Sequence, residues 1–454
     1  MTNANDVCVH GGAVVTVDDA FTLHDPGWIY AVDGEIVEVA AGVPPAARLS
    51  AATVIDATGM AVMPGMVNAH THLFQTLFRG LGDDKSLLDW LRDCIWPAAA
   101  GMTAAEGEAA VELGLVENLR TGATSVLDHH YIHADPDIGE GACHAADRVG
   151  LRYLMARGWA DRNYEPRLTE SGHTAAHRAT VLAEHWHGHD GGRIRIENGP
   201  LIPWGCSEDA MAVTAAAQTW GEGMHTHCAE TAAEVQMCLD EHGLRHVPWL
   251  DRLGLLGPGT QLAHSVWLDD DELELIATRG ATVVHCPVSN MYLASGIARV
   301  AEMRARGINV ALASDGPGSN NRQDMFEAMK VAVLLQKVST LDPVVLQPEH
   351  VLHMACRGGA RAMGLASTVG SLEPGRRADF VVVDLRSVFI APVHRVPSAL
   401  VFNAAPGDVR HVGVDGRLVL RDGIVTTVDE RAVLARAHDA ARAMFGRASI
   451  PVRW

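Results

Sequence analysis

The chain has 454 residues, of which 48% are hydrophobic, so it is long enough to build one large domain and a smaller one. Its formal net charge is −19 and is spread along the sequence, which argues against nucleic acid or an anionic membrane as a partner. No apolar run reaches the roughly 18 to 20 residues that cross a bilayer, and no basic segment followed by an apolar stretch opens the chain. We therefore expect a cytoplasmic globular protein.

The two ends of the chain share one pattern, short apolar segments separated by turn residues. In residues 1–62 the dipeptide Asp33-Gly34 separates two such segments, "WIYAV" and "EIVEVA", and is typical of a hairpin turn. Similar segments return in residues 366–427, again with Asp-Gly turns. The pattern predicts one composite β-sandwich built from both ends, followed by a helix and tail over residues 428–454.

Residues 63–365 follow a different pattern, in which short apolar runs alternate with helical stretches. This alternation is typical of repeated βα units around a parallel sheet. The apolar runs number eight, which favours an α/β fold of the (β/α)8 TIM-like barrel class over an open sheet. They read "GMVNAH", "ATSVLDHH", "LRYLMARGW", "RIRIENGP", "GMHTHC", "TQLAHS", "ATVVHC" and "NVALASD".

Most of these predicted strands end in histidine or aspartate. The carboxyl ends of barrel strands meet on one face, so side chains at those ends converge. Two residues separated by one other residue point to the same side of a strand, so both histidines of an HxH motif can reach one ion. Imidazole and carboxylate together suit zinc and similar ions, which predicts a metal site. The strand-end residues are His70, His72, Asp128, His129, His130, His225, His227, His264, His285 and Asp315.

Six motifs resemble, in order and spacing, the amidohydrolase superfamily. Within it they are similar to the branch that contains 8-oxoguanine, isoxanthopterin, guanine and S-adenosylhomocysteine deaminases and the triazine hydrolases. The resemblance covers nearly the whole chain and implies a metal-dependent hydrolytic enzyme with a barrel and a flanking β domain. The motifs are "PGMVNAHTH", "HTHCAET", "LAHSVWLDDDE", "HCPVSNMYLASGIARV", "SDGPGSNN" and "GSLEPGRRADFVVVD".

The resemblance also implies roles for individual residues. The family pattern makes His70, His72, His227 and Asp315 the metal ligands, with Asp315 also taking a proton from the attacking water. It makes Glu230 the acid that protonates the heterocycle. His264 matches a histidine beside the metal-bound water, which in some triazine hydrolases is a ligand, so its role stays open.

The expected cofactor is one divalent metal ion, with zinc as the first choice and iron as an alternative, because histidine and carboxylate accept both. Members of the superfamily with two metals usually bridge them with a carboxylated lysine at the end of the fourth strand. The three lysines, Lys85, Lys330 and Lys337, all lie far from that strand in the sequence. A single metal is therefore expected.

The reaction implied is release of ammonia from an amino-substituted nitrogen heterocycle through attack of metal-bound hydroxide. The residues expected to bind the substrate are Gln75, Trp90, His129, His285 and Ser319. Gln75 resembles a glutamine of 8-oxoguanine and isoxanthopterin deaminases and triazine hydrolases, and His285 resembles a histidine of the deaminases. An oxidised purine, a pterin or a triazine-like compound is thus the first expectation.

Two enzymatic alternatives remain. Nucleoside deaminases of the branch carry a ribose-binding glutamate near the position of Ala98 and Ala99, so a nucleoside of the S-adenosylhomocysteine, methylthioadenosine or adenosine type is the weaker reading. A triazine hydrolase that releases chloride or an alkylamine is the other. A catalytically silent scaffold is disfavoured, because every expected ligand is present. The HxE and PCxxC motifs of cytidine deaminases are absent from the sequence, which excludes those enzymes as a model.

The resemblance to the amidohydrolase branch also leads us to expect a homodimer or a higher homo-oligomer.

Overall fold

The computed structural model describes residues 6–221 and 223–451. Its first five strands belong to a sheet built from the two ends of the chain. They are β1 (Val7–Val15), β2 (Leu23–Val32), β3 (Glu35–Ala41), β4 (Thr53–Asp56) and β5 (Met60–Pro64).

Eight parallel strands then form the TIM-like barrel that the sequence predicts, one for each of the eight apolar runs. Because every strand pairs with the next one in sequence, the carboxyl ends all lie on one face. The strands are β6 (Met66–Thr71), β7 (Ala123–His130), β8 (Arg152–Trp159), β9 (Ile194–Pro200), β10 (Met224–Cys228), β11 (Thr260–His264), β12 (Thr282–His285) and β13 (Asn309–Leu312).

The barrel closes between its last strand and its first through a few contacts at the carboxyl end. The backbone N–H of Asp315 donates to the carbonyl of His70 at 3.1 Å. The backbone N–H of Ser314 donates to the side-chain oxygen of Asn68 at 3.0 Å. These contacts fix the segment after β13 against the end of β6, and so place Asp315 beside the first pair of histidines.

Helices cover the outside of the barrel, and several begin at a capping box in which the first and fourth residues exchange hydrogen bonds. Thr103 with Glu106 and Thr231 with Glu234 are two examples. The α-helices span Leu87–Trp90, Trp96–Ala99, Ala104–Arg120, Ile138–Val149, Gly172–Trp186, Glu208–Ala217, Ala232–His242, His246–Arg252, Asp270–Arg279, Pro287–Tyr292, Val300–Ala305, Pro317–Asn320, Met325–Thr340, Pro348–His353, Gly359–Ala362, Val396–Phe402 and Glu430–Arg447. No helix in the described ranges is both long and apolar enough to cross a membrane.

The sheet that begins with β1 to β5 is completed by four strands near the other end of the chain. They are β14 (Phe380–Asp384), β15 (Val409–Val414), β16 (Arg417–Arg421) and β17 (Ile424–Val425). Its strands follow the order β17-β16-β15-β14-β5-β1-β2-β3, with β4 beside β1. The two chain ends thus form one flanking sheet, as predicted. The turn between β2 and β3 lies beside the segment that precedes β14, where Ala378 N–H donates to the carbonyl of Gly34 at 2.8 Å. The boundaries at 62/63 and 365/366 stay predictions.

Candidate active site

Four barrel segments bring the predicted metal ligands together at the carboxyl face. His70 and His72 come from the end of β6, His227 from β10, His264 from β11, and Asp315 from the turn after β13. The donor atoms of His70, His72 and Asp315 lie within 4.8 Å of one another, and so do those of His70, His227 and His264. The cluster therefore has the donor types and the spacing that a single ion requires.

The hydrogen bonds of His72 and His227 determine which ring nitrogen carries the proton. His72 Nδ1 lies 2.7 Å from the carbonyl of His129, and His227 Nδ1 lies 2.8 Å from the carbonyl of Leu201. A carbonyl only accepts, so both Nδ1 atoms are N–H donors. Burial lowers the pKa of His72 to about 3 and holds that of His227 well below its ordinary value, so both rings are neutral. Each Nε2 is left with a lone pair.

These two lone pairs face each other. The Nε2 atoms of His72 and His227 are 3.1 Å apart, a contact that is repulsive between two neutral acceptors. His70 Nε2, in turn, is buried without a hydrogen-bond partner in the described chain and lies 3.3 Å from Asp315 Oδ1. A cation shared by these atoms removes the repulsion and satisfies the orphaned nitrogen. The residues present therefore fit a divalent ion, and Asp315 Oδ1 is equally close to His72 Nε2, at 3.3 Å.

Asp315 is held by the backbone and by two hydroxyl groups. Its φ of 63° lies in the left-handed region, which is costly for a residue other than glycine and is typical of functional sites. Gly316 N–H donates to its Oδ1 at 2.6 Å, while Ser289 and Ser319 donate to its Oδ2. Burial acts to raise the pKa of Asp315, but contacts with His70 and the other histidines hold that pKa well below its usual range.

Glu230 and His264 form a second buried pair beside the cluster. Glu230 Oε2 lies 3.5 Å from His264 Nε2, and Ser295 donates to Glu230 Oε1 at 2.7 Å. His264 Nδ1 donates to Asn290 Oδ1 at 2.9 Å, which turns Nε2 toward the pocket. Burial raises the pKa of Glu230. Burial would lower the pKa of His264, but the carboxyl groups of Glu230 and Asp315 raise it.

The cluster lies at the base of a partly open pocket. Aromatic and aliphatic side chains form most of its wall, and the polar groups are gathered near the cluster, as is common in ligand sites. A flat, mostly apolar ring system fits such a wall. The residues lining the pocket are His72, Gln75, Leu87, Trp90, Leu91, Tyr131, Tyr164, Leu201, Ile202, Trp204, His227, Glu230, Glu234, His264, Leu293, Asp315 and Ser319.

Three of the five predicted substrate-binding residues line this pocket, and two do not. Gln75, Trp90 and Ser319 are part of the wall. His129 lies behind it, with its Nε2 donating to the carbonyl of Gly199 at 3.1 Å and its own carbonyl accepting from His72. His285 is fully buried outside the pocket lining, and burial lowers its pKa to about 3. Neither His129 nor His285 lines the pocket in this structure.

The Gln75 side chain is held in one orientation. Its Oε1 accepts from Gly318 N–H at 3.2 Å, and its Nε2 donates to the Tyr131 hydroxyl at 3.0 Å. Trp90 Nε1 donates to the carbonyl of Gly318 at 3.0 Å, which ties the same loop to the wall. One N–H of Gln75 remains for a ligand.

Several pocket residues were not predicted as contacts. Tyr164, Trp204 and Glu234 lie on loops or at the start of a helix, away from the strand ends that the barrel rule singles out. Glu234 carried one signal, the T-x-x-E spacing from Thr231, but that spacing indicates a helix start rather than a pocket. Ala98 and Ala99, where a ribose-binding carboxylate was sought, are buried in an apolar cluster and do not line the pocket.

Comparison with known proteins decides the family. A model of the amidohydrolase family matches residues 61–419. The chain belongs to the amidohydrolase family. This amidohydrolase is 38% identical to the 5'-deoxyadenosine deaminase of Methanosarcina mazei, with 97% of the chain and 99% of the relative covered. It is also 38% identical to the 5-methylthioadenosine/S-adenosylhomocysteine deaminase of Syntrophobacter fumaroxidans, with 96% of the chain and 98% of the relative covered.

A solved structure has the same fold as this chain. The adenosine deaminase from Xanthomonas campestris with bound zinc superposes with a TM-score of 0.91 at 30% identity, covering 97% of the chain and 99% of that structure. The amidohydrolase described here is accordingly a hydrolase that acts on carbon–nitrogen bonds other than peptide bonds. The curated relatives support the nucleoside alternative better than the oxidised purine, pterin or triazine that the sequence first suggested.

Proposed function

We propose that this amidohydrolase is a metal-dependent deaminase of a 6-aminopurine nucleoside of the 5'-deoxyadenosine or methylthioadenosine type. The observation that carries the proposal is the placement of two buried carboxyl groups, Glu230 beside His264 and Asp315 beside the first two histidines, in one aromatic pocket. Glu230 has a raised pKa and Asp315 a strongly lowered one. The named activities of the relatives support the choice of nucleoside.

The metal would be held by His70, His72, His227 and Asp315, with His264 either as a further ligand or beside the ligands. One ion per chain, zinc in the first place, is proposed. When bound, such an ion supplies a water molecule whose pKa is lowered toward neutrality, and so a nucleophile.

The chain's own residues divide the proton transfers between them. Glu230 is buried and burial raises its pKa, which suits it to donate a proton to a ring nitrogen of the purine. Asp315 stays ionised and can accept a proton from the attacking water. His264, tied to Asn290 through Nδ1, presents Nε2 to Glu230 at 3.5 Å. The apolar wall excludes water, which strengthens these interactions.

A free base, pterin or triazine is the second proposal, and one feature favours it. Gln75 presents a fixed amide N–H to the pocket, which suits a ring carbonyl.

The experiment that tests the proposal is ammonia release by the zinc-loaded protein from a panel of substrates. The panel contains 5'-deoxyadenosine, methylthioadenosine, S-adenosylhomocysteine, adenosine, 8-oxoguanine, isoxanthopterin, guanine and an aminotriazine. The highest kcat/KM is expected for a neutral adenine nucleoside. A preference for 8-oxoguanine, isoxanthopterin or the triazine would overturn the nucleoside assignment in favour of the second proposal. Absence of ammonia release from every compound would overturn both proposals.

A further inference from the structure

A buried network of polar side chains surrounds the backbone of Asp315. Its members come from strand β6, from the helix Ala104–Arg120 and from the segment that follows β13. Each of these side chains is at most 1% exposed, so its polar groups must be paired within the protein. None of them is among the described residues that line the pocket. The network consists of Asn68, Thr71, Asn118, Ser314 and Gln323.

The amide of Gln323 is held in one orientation by this network. Its Nε2 donates to the backbone carbonyl of Asp315 at 2.9 Å. Its Oε1 accepts from Asn118 Nδ2 at 3.0 Å and from the Thr71 hydroxyl at 2.9 Å. The opposite orientation would put the amide oxygen against the Asp315 carbonyl and the amide nitrogen against Asn118 Nδ2, which pairs acceptor with acceptor and donor with donor. The network therefore fixes the N–H that the Asp315 carbonyl receives.

The other members of the network support this arrangement. Asn68 Nδ2 donates to Asn118 Oδ1 at 2.9 Å and to Ser314 Oγ at 2.7 Å. The Ser314 hydroxyl donates in turn to the Asp315 carbonyl at 3.0 Å, as a second donor beside the Gln323 amide. Asn118 Nδ2 also donates to the carbonyl of Gly114 at 2.9 Å, which anchors the network in its helix. A buried polar network that is satisfied in this way is rigid.

Asp315 requires such support because its backbone conformation is costly. Its φ of 63° lies in the left-handed region, which a residue other than glycine keeps only where the surrounding structure enforces it. The N–H of Asp315 is bound to the carbonyl of His70, while Gln323 and Ser314 bind its carbonyl. The backbone is thus held from both sides. This keeps Asp315 Oδ1 at 3.3 Å from Nε2 of both His70 and His72.

We propose that Gln323 is a positioning residue of the metal site, whose amide N–H holds the Asp315 carbonyl and thereby aims the Asp315 carboxylate at the ligand histidines. Gln323 acts through the backbone of Asp315, since it is not among the described residues that line the pocket. The proposal rests on the proposed function for the role of Asp315 as metal ligand and proton acceptor. Residues that support metal ligands in this way typically change metal affinity or activity about 10- to 100-fold when they are replaced.

Zinc binding provides a test that needs no turnover. Gln323→Met removes the amide and keeps a side chain of similar length. It is expected to weaken zinc binding by the metal-free protein about 10- to 100-fold, because the Asp315 carboxylate is no longer held in place. The dissociation constant is measured by competition with a chromophoric chelator.

The matched control is Gln336→Met, in the helix Met325–Thr340. Gln336 is likewise buried, donates through Nε2 to the carbonyl of Ala298 at 3.0 Å and accepts from Ala301 N–H at 3.2 Å. Its replacement therefore removes a buried amide with the same kinds of partners, but outside the metal site. Both variants should lose stability in urea, whereas the zinc affinity of Gln336→Met should stay within about 2-fold of that of the unmodified protein.

Kinetics at saturating zinc provide the second readout. With the best nucleoside substrate, Gln323→Met should lower kcat about 10- to 100-fold at nearly constant KM, because the displaced carboxylate serves the reaction while the pocket wall is unchanged. Gln336→Met should leave both kcat and KM unchanged. A loss of stability alone would not produce this division between kcat and KM.

The outcomes separate this inference from the proposed function. Unchanged zinc affinity in Gln323→Met, an equal loss of affinity in Gln336→Met, or a raised KM at constant kcat would overturn the inference while deamination stands. Weaker zinc binding in Gln323→Met alone, by a protein that deaminates no compound, would support the role of Gln323 and overturn the proposed function.

A milder variant decides the question if Gln323→Met does not fold. Ser314→Ala removes the second donor to the Asp315 carbonyl and leaves little empty volume. It is expected to weaken zinc binding about 3-fold, in line with the loss of one neutral hydrogen bond. In that case, an unchanged zinc affinity of Ser314→Ala would overturn the inference.

Discussion

Glu230 and Asp315 show how two carboxyl groups at one site acquire opposite roles. Glu230 accepts from one hydroxyl, that of Ser295, and burial raises its pKa. Asp315 has a backbone N–H, two hydroxyls and the histidines around it, so it stays ionised. Environments that push two pKa values apart in this way are typical of an acid and a base that act in one reaction.

Substitution of these two residues should separate metal binding from proton donation. Glu230→Gln is expected to keep the metal and to lower kcat about 10²- to 10⁴-fold, because the amide cannot protonate the ring. Asp315→Asn should abolish turnover, because the amide can neither complete the ligand charge nor accept a proton. Zinc per chain and kcat are measured for both.

Glu274→Gln, on an exposed helix face, is the control and should match the unmodified enzyme. Metal loss in Glu230→Gln would move that residue into the ligand set. Full activity of Asp315→Asn would contradict the mechanism.

At the scale of elements, the helices matter for the site because they pack against the barrel strands that carry the ligands. The short helix Gly359–Ala362 packs against β6, the strand that ends in His70 and His72. A Cβ on Gly359 would lie 2.6 Å from Val67 Cβ, which is shorter than any normal contact. Glycine is therefore required there by packing, although its backbone is helical.

Two glycine-to-alanine substitutions in helices should consequently act in opposite directions. Gly359→Ala should destabilise the protein by about 1 to 3 kcal/mol through overpacking against β6. Gly446→Ala, where no atom lies within 4 Å, should stabilise it by about 0.5 to 1 kcal/mol through helix propensity. Free energies of unfolding in urea provide the measurement, and equal effects of the same sign would show that packing at β6 does not decide the difference.

At the scale of the whole molecule, a buried ion-pair network connects the barrel to the flanking sheet. Arg152 on β8 donates to both oxygens of Asp379, at 2.8 and 2.9 Å, and to Asp415 at 2.6 Å. The side chains of Arg152 and Asp379 are only 5% and 1% exposed, so neither charge can be hydrated if its partner is removed.

Removal of the cation should therefore uncouple the two parts. Arg152→Met is expected to lower the free energy of unfolding by about 3 to 5 kcal/mol, because Asp379 is left buried and unpaired. Arg92→Met, which breaks an exposed pair with Asp89, is the control and should stay within about 0.5 kcal/mol. Thermal and urea unfolding measure both, and a stability of Arg152→Met close to that of Arg92→Met would contradict the coupling.

The homo-oligomer and the cytoplasmic location stay predictions.

The sequence by itself determined the barrel and the flanking sheet, because strand periodicity is a local feature that can be recognised without knowledge of the tertiary contacts. Its six motifs indicated the family through their resemblance to known members. The resemblance selected His70, His72, His227 and Asp315 as donors from the strand-end residues, and the structure brings these side chains together. Only the tertiary structure decided which side chains reach the pocket. It placed His129 and His285 behind the wall and Tyr164 in it, since loop paths and rotamers leave no periodic trace in the sequence. Ala98 and Ala99 could not decide the substrate either, because both are buried in an apolar cluster and do not line the pocket.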